Sequence, residues 1–280
     1  MATVAVLGLG LLGTGFAENL LQKGHTVRVW NRSAAKAAPL GAKGAFVASS
    51  AEEAVSGADR VHLILSEDDA VEAVIASFKH AVTPGRPVID HSTNLPERVA
   101  ERYTRLRGEG LQYLPAPVFM SPANAREATG LMLVAGPTAQ VTELTPALAE
   151  MTGKVWHVGE RPDLAAAHKL AGNGLLLMLG GVLGDILKLG AGSGLSSDET
   201  LALFDTFRPT IGWVGQRVAH AGETPASFEL TMARKDIRLM IETAGGPDNL
   251  TVLPVIAASM DKAIAEGKGD QDFAIFARPQ

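Results

Sequence analysis

The chain has 280 residues, 46% hydrophobic and 20% charged, which is enough apolar material for a sizeable core in one large domain or two modest ones. A net charge of -5 argues against a nucleic-acid or anionic-membrane partner. The lack of cysteine excludes disulfides, thiolate catalysis and Cys-based metal sites.

The opening residues MATVAVLGLG lack the basic flank and cleavage site of a signal peptide. No apolar run reaches the roughly 18 uncharged residues that a bilayer span needs, so a soluble, cytoplasmic protein is expected. Thr3–Leu7 is a short apolar run closed by glycine and reads as a strand. Residues 11–23 follow with helical spacing and Gly24 as their stop. Thr26–Trp30, β-branched and apolar, is a second strand. Further strands are predicted at 61–65, Pro87–Asp90, 111–114, 131–134 and 155–158, with helices between them such as 95–107 and 139–151. This alternation implies an α/β fold with a parallel sheet covered on both faces. Past residue 160 the strands cease. Residues 164–189 form an unusually long helix whose apolar residues nearly surround it, which predicts burial between domains or subunits. Helices at 197–207, 209–219, Leu230–Thr243 and 252–266 complete the chain. A boundary near 161–163 divides a first domain, 1–161, from an all-α second domain, 162–280.

Gly8-Leu9-Gly10-Leu11-Leu12-Gly13 is a G-x-G-x-x-G sequence, placed directly after the first strand and opening the first helix. Gly8 makes the tight turn, Gly10 admits a pyrophosphate to the backbone, and Gly13 lets helix and strand pack closely. Free N–H groups and the dipole at the helix start favour the anion. The first domain is thus expected to be a doubly wound Rossmann domain for a dinucleotide. After the second strand comes Asn31-Arg32-Ser33, with Lys36 one turn on, where an NAD enzyme usually places a carboxylate. Arg32 and Lys36 would attract a ribose 2′-phosphate and Ser33 would donate to it, so the cofactor reading is NADP(H).

Lys169 and Asn173 are spaced i,i+4 near the start of the long helix and so share one face. A lysine in an apolar helix tends toward a lowered pKa, which suits proton transfer near neutral pH; a snorkelling lysine fits the same spacing. The seven histidines show no metal-binding spacing, and no nucleophile elbow is present.

With these motifs in order, the chain resembles the β-hydroxyacid dehydrogenase family over essentially its whole length. The matching pieces are residues 6–33, Asp90-His91-Ser92-Thr93-Asn94-Leu95-Pro96, Ala116-Pro117-Val118, HKLAGN at 168–173 and Arg234-Lys235-Asp236-Ile237-Arg238-Leu239. The resemblance implies that Lys169 is the catalytic acid/base and that Asn173 orients substrate and lysine. It places Leu65, Ser66, Thr93 and Lys235 on the cofactor, with Ser92 near the nicotinamide ribose, and Lys235 and Asp236 on the far wall of the cleft. It also implies a homodimer or homotetramer packed through the long helix.

The sequence departs from the family where Ser-Gly-Gly usually follows Ala-Pro-Val. Here the residues are Phe119-Met120-Ser121, and Gly172 stands where many relatives carry an asparagine. Ser121 remains to give the substrate one hydrogen bond. Phe119, Met120, Trp213, Phe228 and Met232 would line a less polar pocket, for a semialdehyde or hydroxy acid or a more apolar aldehyde or ketone; a plain core role suits the same five residues. Two other readings stand beside the reductase: imine reduction, and an NADP(H)-binding sensor without turnover.

Overall fold

The computed structural model describes residues 1–278 apart from Arg208 and Thr224, and apart from the side chains of Leu239, the last residue of the 234–239 stretch, and Thr243. Two compact units emerge, Met1–Asn173 and Gly174–Gln280. The division falls inside the long helix, whereas the sequence placed it in the loop at 161–162.

The first unit runs β1 (Thr3–Leu7), α1 (Leu11–Gln22), β2 (Thr26–Trp30), α2 (Ala38–Gly41), β3 (Phe46–Val47), α3 (Ala51–Val55), β4 (Arg60–Leu63), α4 (Asp68–Phe78), β5 (Pro87–Asp90), α5 (Pro96–Gly108), β6 (Gln112–Pro115), β7 (Val118–Phe119), α6 (Pro122–Glu127), β8 (Leu131–Ala135), α7 (Thr138–Ala149) and β9 (Lys154–Gly159). Strands β1 to β6 form one parallel sheet in the order β3-β2-β1-β4-β5-β6. This is the doubly wound order, whose ligand crevice lies at the carboxyl ends where β1 and β4 part company. Alternation along β1 feeds both faces. Val4 and Val6 pack with Phe16 and Leu20 on one side, while Ala5 and Leu7 pack with Val61 and Phe78 on the other. Each fully buried Val, Leu or Phe side chain among them contributes about 1.5–3 kcal/mol of transfer free energy.

The sequence assigned the strands at 131–134 and 155–158 to this same parallel sheet. They belong instead to a second, three-stranded sheet, β7-β8-β9, in which β7 runs antiparallel to β8. Pro117 has no N–H to continue the first ladder, and its carbonyl accepts from Leu133 N–H at 2.9 Å, which turns the chain onto β8.

α8 (Leu164–Gly192) begins in the first unit and ends in the second. The second unit continues with α9 (Ser197–Thr206), α10 (Ile211–Ala219), α11 (Leu230–Thr243) and α12 (Leu253–Ala265). Its core is Leu230, Ala233 and Ile237 of α11 against Ala257, Met260 and Ala263 of α12. Asp185 of α8 fixes the start of α12: its carboxylate accepts from the N–H groups of Thr251, Val252 and Leu253 at 2.6, 2.6 and 2.9 Å. Burial acts to raise the Asp185 pKa, but these three donors prevail and hold it below the ordinary carboxylate value.

By length and composition alone, α8 is long and apolar enough to cross a membrane. The expected burial of this helix is not met within one chain: Leu176, Leu177 and Met178 are exposed, Leu177 at 77%.

Candidate active site

The cofactor loop is built from the turn between β1 and α1. Gly8 has φ +99°, a left-handed conformation that favours glycine, and its N–H donates to Trp30 O at 3.0 Å. A Cβ on Gly13 would overlap the Gly8 carbonyl oxygen, so strand and helix approach as closely as backbone permits. A Cβ on Gly10 would meet nothing within 4 Å among the described residues, which leaves open space above the helix start. No described side chain caps α1 there. The amides of Leu11, Leu12 and Gly13 therefore begin a helix whose end is free to receive an anion. The cradle fits a dinucleotide pyrophosphate.

Asn31 ties this loop to the end of β2. Its Oδ1 accepts from Leu9 N–H at 2.9 Å and its Nδ2 donates to Ser33 O at 3.1 Å. Arg32, Ser33 and Lys36 are exposed beside it. On the other side of the crevice Leu65 N–H donates to Ser92 Oγ at 2.9 Å, which joins the ends of β4 and β5; Ser66 and Thr93 are exposed next to that contact.

A buried network holds the loop after β5. Asp90 accepts from Ser92 N–H at 2.9 Å, Asn94 Nδ2 at 2.9 Å and the Tyr113 hydroxyl at 2.7 Å. Burial raises the Asp90 pKa, and the Ser92 and Tyr113 donors and the nearby Arg102 oppose the rise. Arg102, fully buried on α5, pairs with Asp68 at 2.7 Å and Glu72 at 2.8 Å, and Asp68 in turn accepts from Leu95 N–H. A second chain of contacts lies behind it. Arg60 Nε–H donates to His62 Nε2 at 3.2 Å, His62 meets His91 at 2.8 Å, and His91 Nδ1 meets Ala116 O at 2.7 Å. Since Arg60 can only donate, each histidine carries its proton on Nδ1 and passes a donor forward to the Ala116 carbonyl. Burial lowers both histidines, His91 to about 4.

Lys169 lies on the first-unit part of α8, half-buried. Its Nζ donates to Asn173 Oδ1 at 3.0 Å and stands 4.1 Å from the centroid of the Phe119 ring. Burial lowers its pKa from the ordinary lysine value. The i,i+4 spacing thus yields a directed, partly desolvated amine.

Residues 3–159 match the model of the NAD binding domain of 6-phosphogluconate dehydrogenase. Glyoxylate/succinic semialdehyde reductase 1 of Arabidopsis thaliana is 30% identical over 280 residues, covering 97% of this chain and 96% of its own. The chain belongs to the β-hydroxyacid dehydrogenase family. The 3-sulfolactaldehyde reductase of Escherichia coli (strain K12) is 28% identical over 98% of this chain and 94% of its own. Among solved structures, the Streptomyces aurantiacus imine reductase superposes with a TM-score of 0.84 at 26% identity, covering 98% of both chains. This member of the β-hydroxyacid dehydrogenase family is therefore an oxidoreductase with a nicotinamide-cofactor domain.

The remaining residues singled out by sequence are placed as follows. Met120 packs at the edge of the first-unit core. Ser121 caps α6: its N–H and hydroxyl donate to Asn124 Oδ1 at 2.9 and 2.7 Å, and its oxygen accepts from Asn124 N–H. The hydrogen bond expected of it toward substrate is spent on that cap. Trp213, Phe228, Met232 and Lys235 lie in the second unit. Trp213 stacks under Arg217 at 5.1 Å, Phe228 leans on Phe273 at 5.8 Å, and Lys235 pairs with Asp236 at 3.0 Å. All but Lys235 are partly exposed large hydrophobics, which the plain core reading did not foresee. Sequence reasoning placed His91 near the site in a structural role but missed Arg102 and His62 as supports. The signal for Arg102 was a lone charge on the inward side of α5, between Val99 and Leu106.

Proposed function

We propose that this chain is an NADP(H)-dependent reductase that moves a hydride between nicotinamide and a small carbonyl or hydroxy compound, with Lys169 as acid and base. The half-buried Lys169 amine, directed by Asn173 and lowered in proton affinity by burial, carries the reading. In the turn that starts at Gly8, the amides from Gly10 to Gly13 would hold the pyrophosphate, and Asn31, Arg32, Ser33 and Lys36 the 2′-phosphoribose. Leu65, Ser66 and Thr93 would line the path toward the nicotinamide, and Lys235 would add a cation from the second unit. When bound, the nicotinamide supplies or takes up the hydride. In reduction, Lys169 gives one Nζ proton to the carbonyl oxygen as the new C–H bond forms. The neutral amine then regains a proton from water. In oxidation the neutral amine takes the hydroxyl proton. Asn173 keeps a second N–H engaged, so that Nζ presents a defined face.

The substrate class follows the relatives, whose names specify aldehydes bearing an acid group, or extends to a more apolar aldehyde or ketone. Imine reduction is the second reading, favoured by the likeness to the Streptomyces aurantiacus enzyme. Leu176, Leu177, Met178, Leu203 and Ile211 leave the second unit with an exposed apolar surface that a second copy would cover, giving a homodimer or homotetramer in the cytoplasm.

The test is oxidation of NADPH, with NADH in parallel, against glyoxylate, succinic semialdehyde, apolar aldehydes and ketones, and a cyclic imine. Turnover of a carbonyl with NADPH preferred is the expected result. Turnover of the imine alone would replace the first reading with the second, and tight NADPH binding without any turnover would leave a sensor.

A further inference from the structure

Phe119 ends β7, and its ring lies against two residues of α8. A Cβ on Gly172 would overlap Phe119 Cζ and stand 2.9 Å from Cε1, so the ring packs directly onto bare glycine backbone. The same ring faces Lys169 Nζ at 4.1 Å. The ring's negative face favours the ammonium and disfavours an anion brought to the same place.

The side-chain donors in this loop suited to gripping an anion are engaged. The Ser121 N–H and hydroxyl are both taken by Asn124, and the Met120 side chain offers only a thioether. The Lys169 ammonium already donates to Asn173. A carboxylate seated here would exchange its water shell for a share of one ammonium, the Asn173 Nδ2 amide and an aromatic face, a costly desolvation. An uncharged carbonyl needs one proton donor and gains apolar contact with the ring.

We infer that Phe119, seated on Gly172, determines specificity at Lys169 and selects uncharged carbonyl substrates over those that carry a carboxylate. The inference rests on the reading of Lys169 as acid and base.

Two measurements test it. In the first, Gly172→Asn and Phe119→Ser are compared singly and together by thermal unfolding, with Gly172→Ala as a milder substitute should Gly172→Asn not fold. The substitution at 172 should lower Tm in the parent and do so much less in the Phe119→Ser background; equal losses in both backgrounds would overturn the packing. In the second, NADPH-dependent reduction of cyclohexanecarbaldehyde is compared with that of succinic semialdehyde. The parent should favour the neutral aldehyde by about ten-fold or more in kcat/KM, and Phe119→Ser with Gly172→Asn should shift the ratio toward the semialdehyde by a similar factor. A parent preference for the semialdehyde, or a ratio the double variant does not move, would overturn the inference. Turnover of neither would defeat the reductase reading instead. Calorimetry on the NADPH complex would then decide the inference alone: tighter binding of cyclohexanol than of 4-hydroxybutanoate sustains it, and no preference or the reverse overturns it.

Discussion

The Gly8 carbonyl lies so close to Gly13 that a Cβ on Gly13 would overlap its oxygen and stand 3.1 Å from its carbon. Gly10, two residues from Gly8, faces open space. The two glycines should therefore fail differently. Gly13→Ala should force α1 away from β1, lowering Tm and abolishing cofactor binding together. Gly10→Ala should change stability only within the small range of a surface substitution, about 0.5 kcal/mol, and so barely move Tm, while weakening NADPH binding. Thermal unfolding and fluorescence titration separate the two, and wild-type NADPH affinity in Gly10→Ala would show that the pyrophosphate does not lie over that residue.

Arg32→Ala should weaken NADPH by roughly 10- to 100-fold, the worth of a charge-assisted hydrogen bond, and change NADH little. The measurement is Kd for both cofactors in parent and variant. Equal weakening would remove the 2′-phosphate from Arg32.

Lys169→Ala should reduce turnover by about 100-fold or more and leave the NADPH Kd nearly unchanged, as expected for loss of an acid/base. Carbonyl reduction needs the protonated amine. Because burial lowers its pKa, the rate of reduction should fall with rising pH on a limb below the ordinary lysine value of 10.5. Alcohol oxidation needs the neutral amine and should rise over the same limb. A reduction rate flat to pH 10 would deny Lys169 this role.

His62 and His91 give the fold an acid limit. Both are held neutral by burial, His91 down to about 4, against an ordinary value of 6.5. On unfolding below pH 6.5 each takes up a proton that the folded chain refuses, so stability is full above 6.5 and declines as pH falls toward 4. The slope should approach ~1.4 kcal/mol per pH unit for each histidine. Urea unfolding at pH 7, 6 and 5 measures it. His91→Gln should flatten that dependence even where it lowers stability at pH 7, and an unchanged slope would show that His91 is not the group responsible.

Much of this was legible in the sequence where local chemistry decides the outcome. Thr3–Leu7 and Thr26–Trp30 read as strands because short β-branched runs bounded by turn residues have few other options, and both are strands with those bounds. Phe46–Val47 escaped notice because two residues show no period. Val118–Phe119 escaped because its partner, Leu131 with Met132, must first be brought back by a turn. The Ser121 cap was written as Ser-x-x-Asn, yet its place after Ala116-Pro117-Val118 in the family resemblance invited a substrate role for the hydroxyl. Lys169 with Asn173 was readable because both lie on one helix, while Phe119 on Gly172 joins distant parts of the chain and leaves no periodic trace.

The ring of Phe119 on the bare backbone of Gly172 also constrains how this protein can change. A side chain at 172 is admissible only after the ring at 119 has gone, while loss of the ring first opens only a void. The route from an aromatic wall to a polar one thus has a permitted order of steps, and the same substitution at 172 that is harmful today would be tolerated in a descendant that had already replaced Phe119.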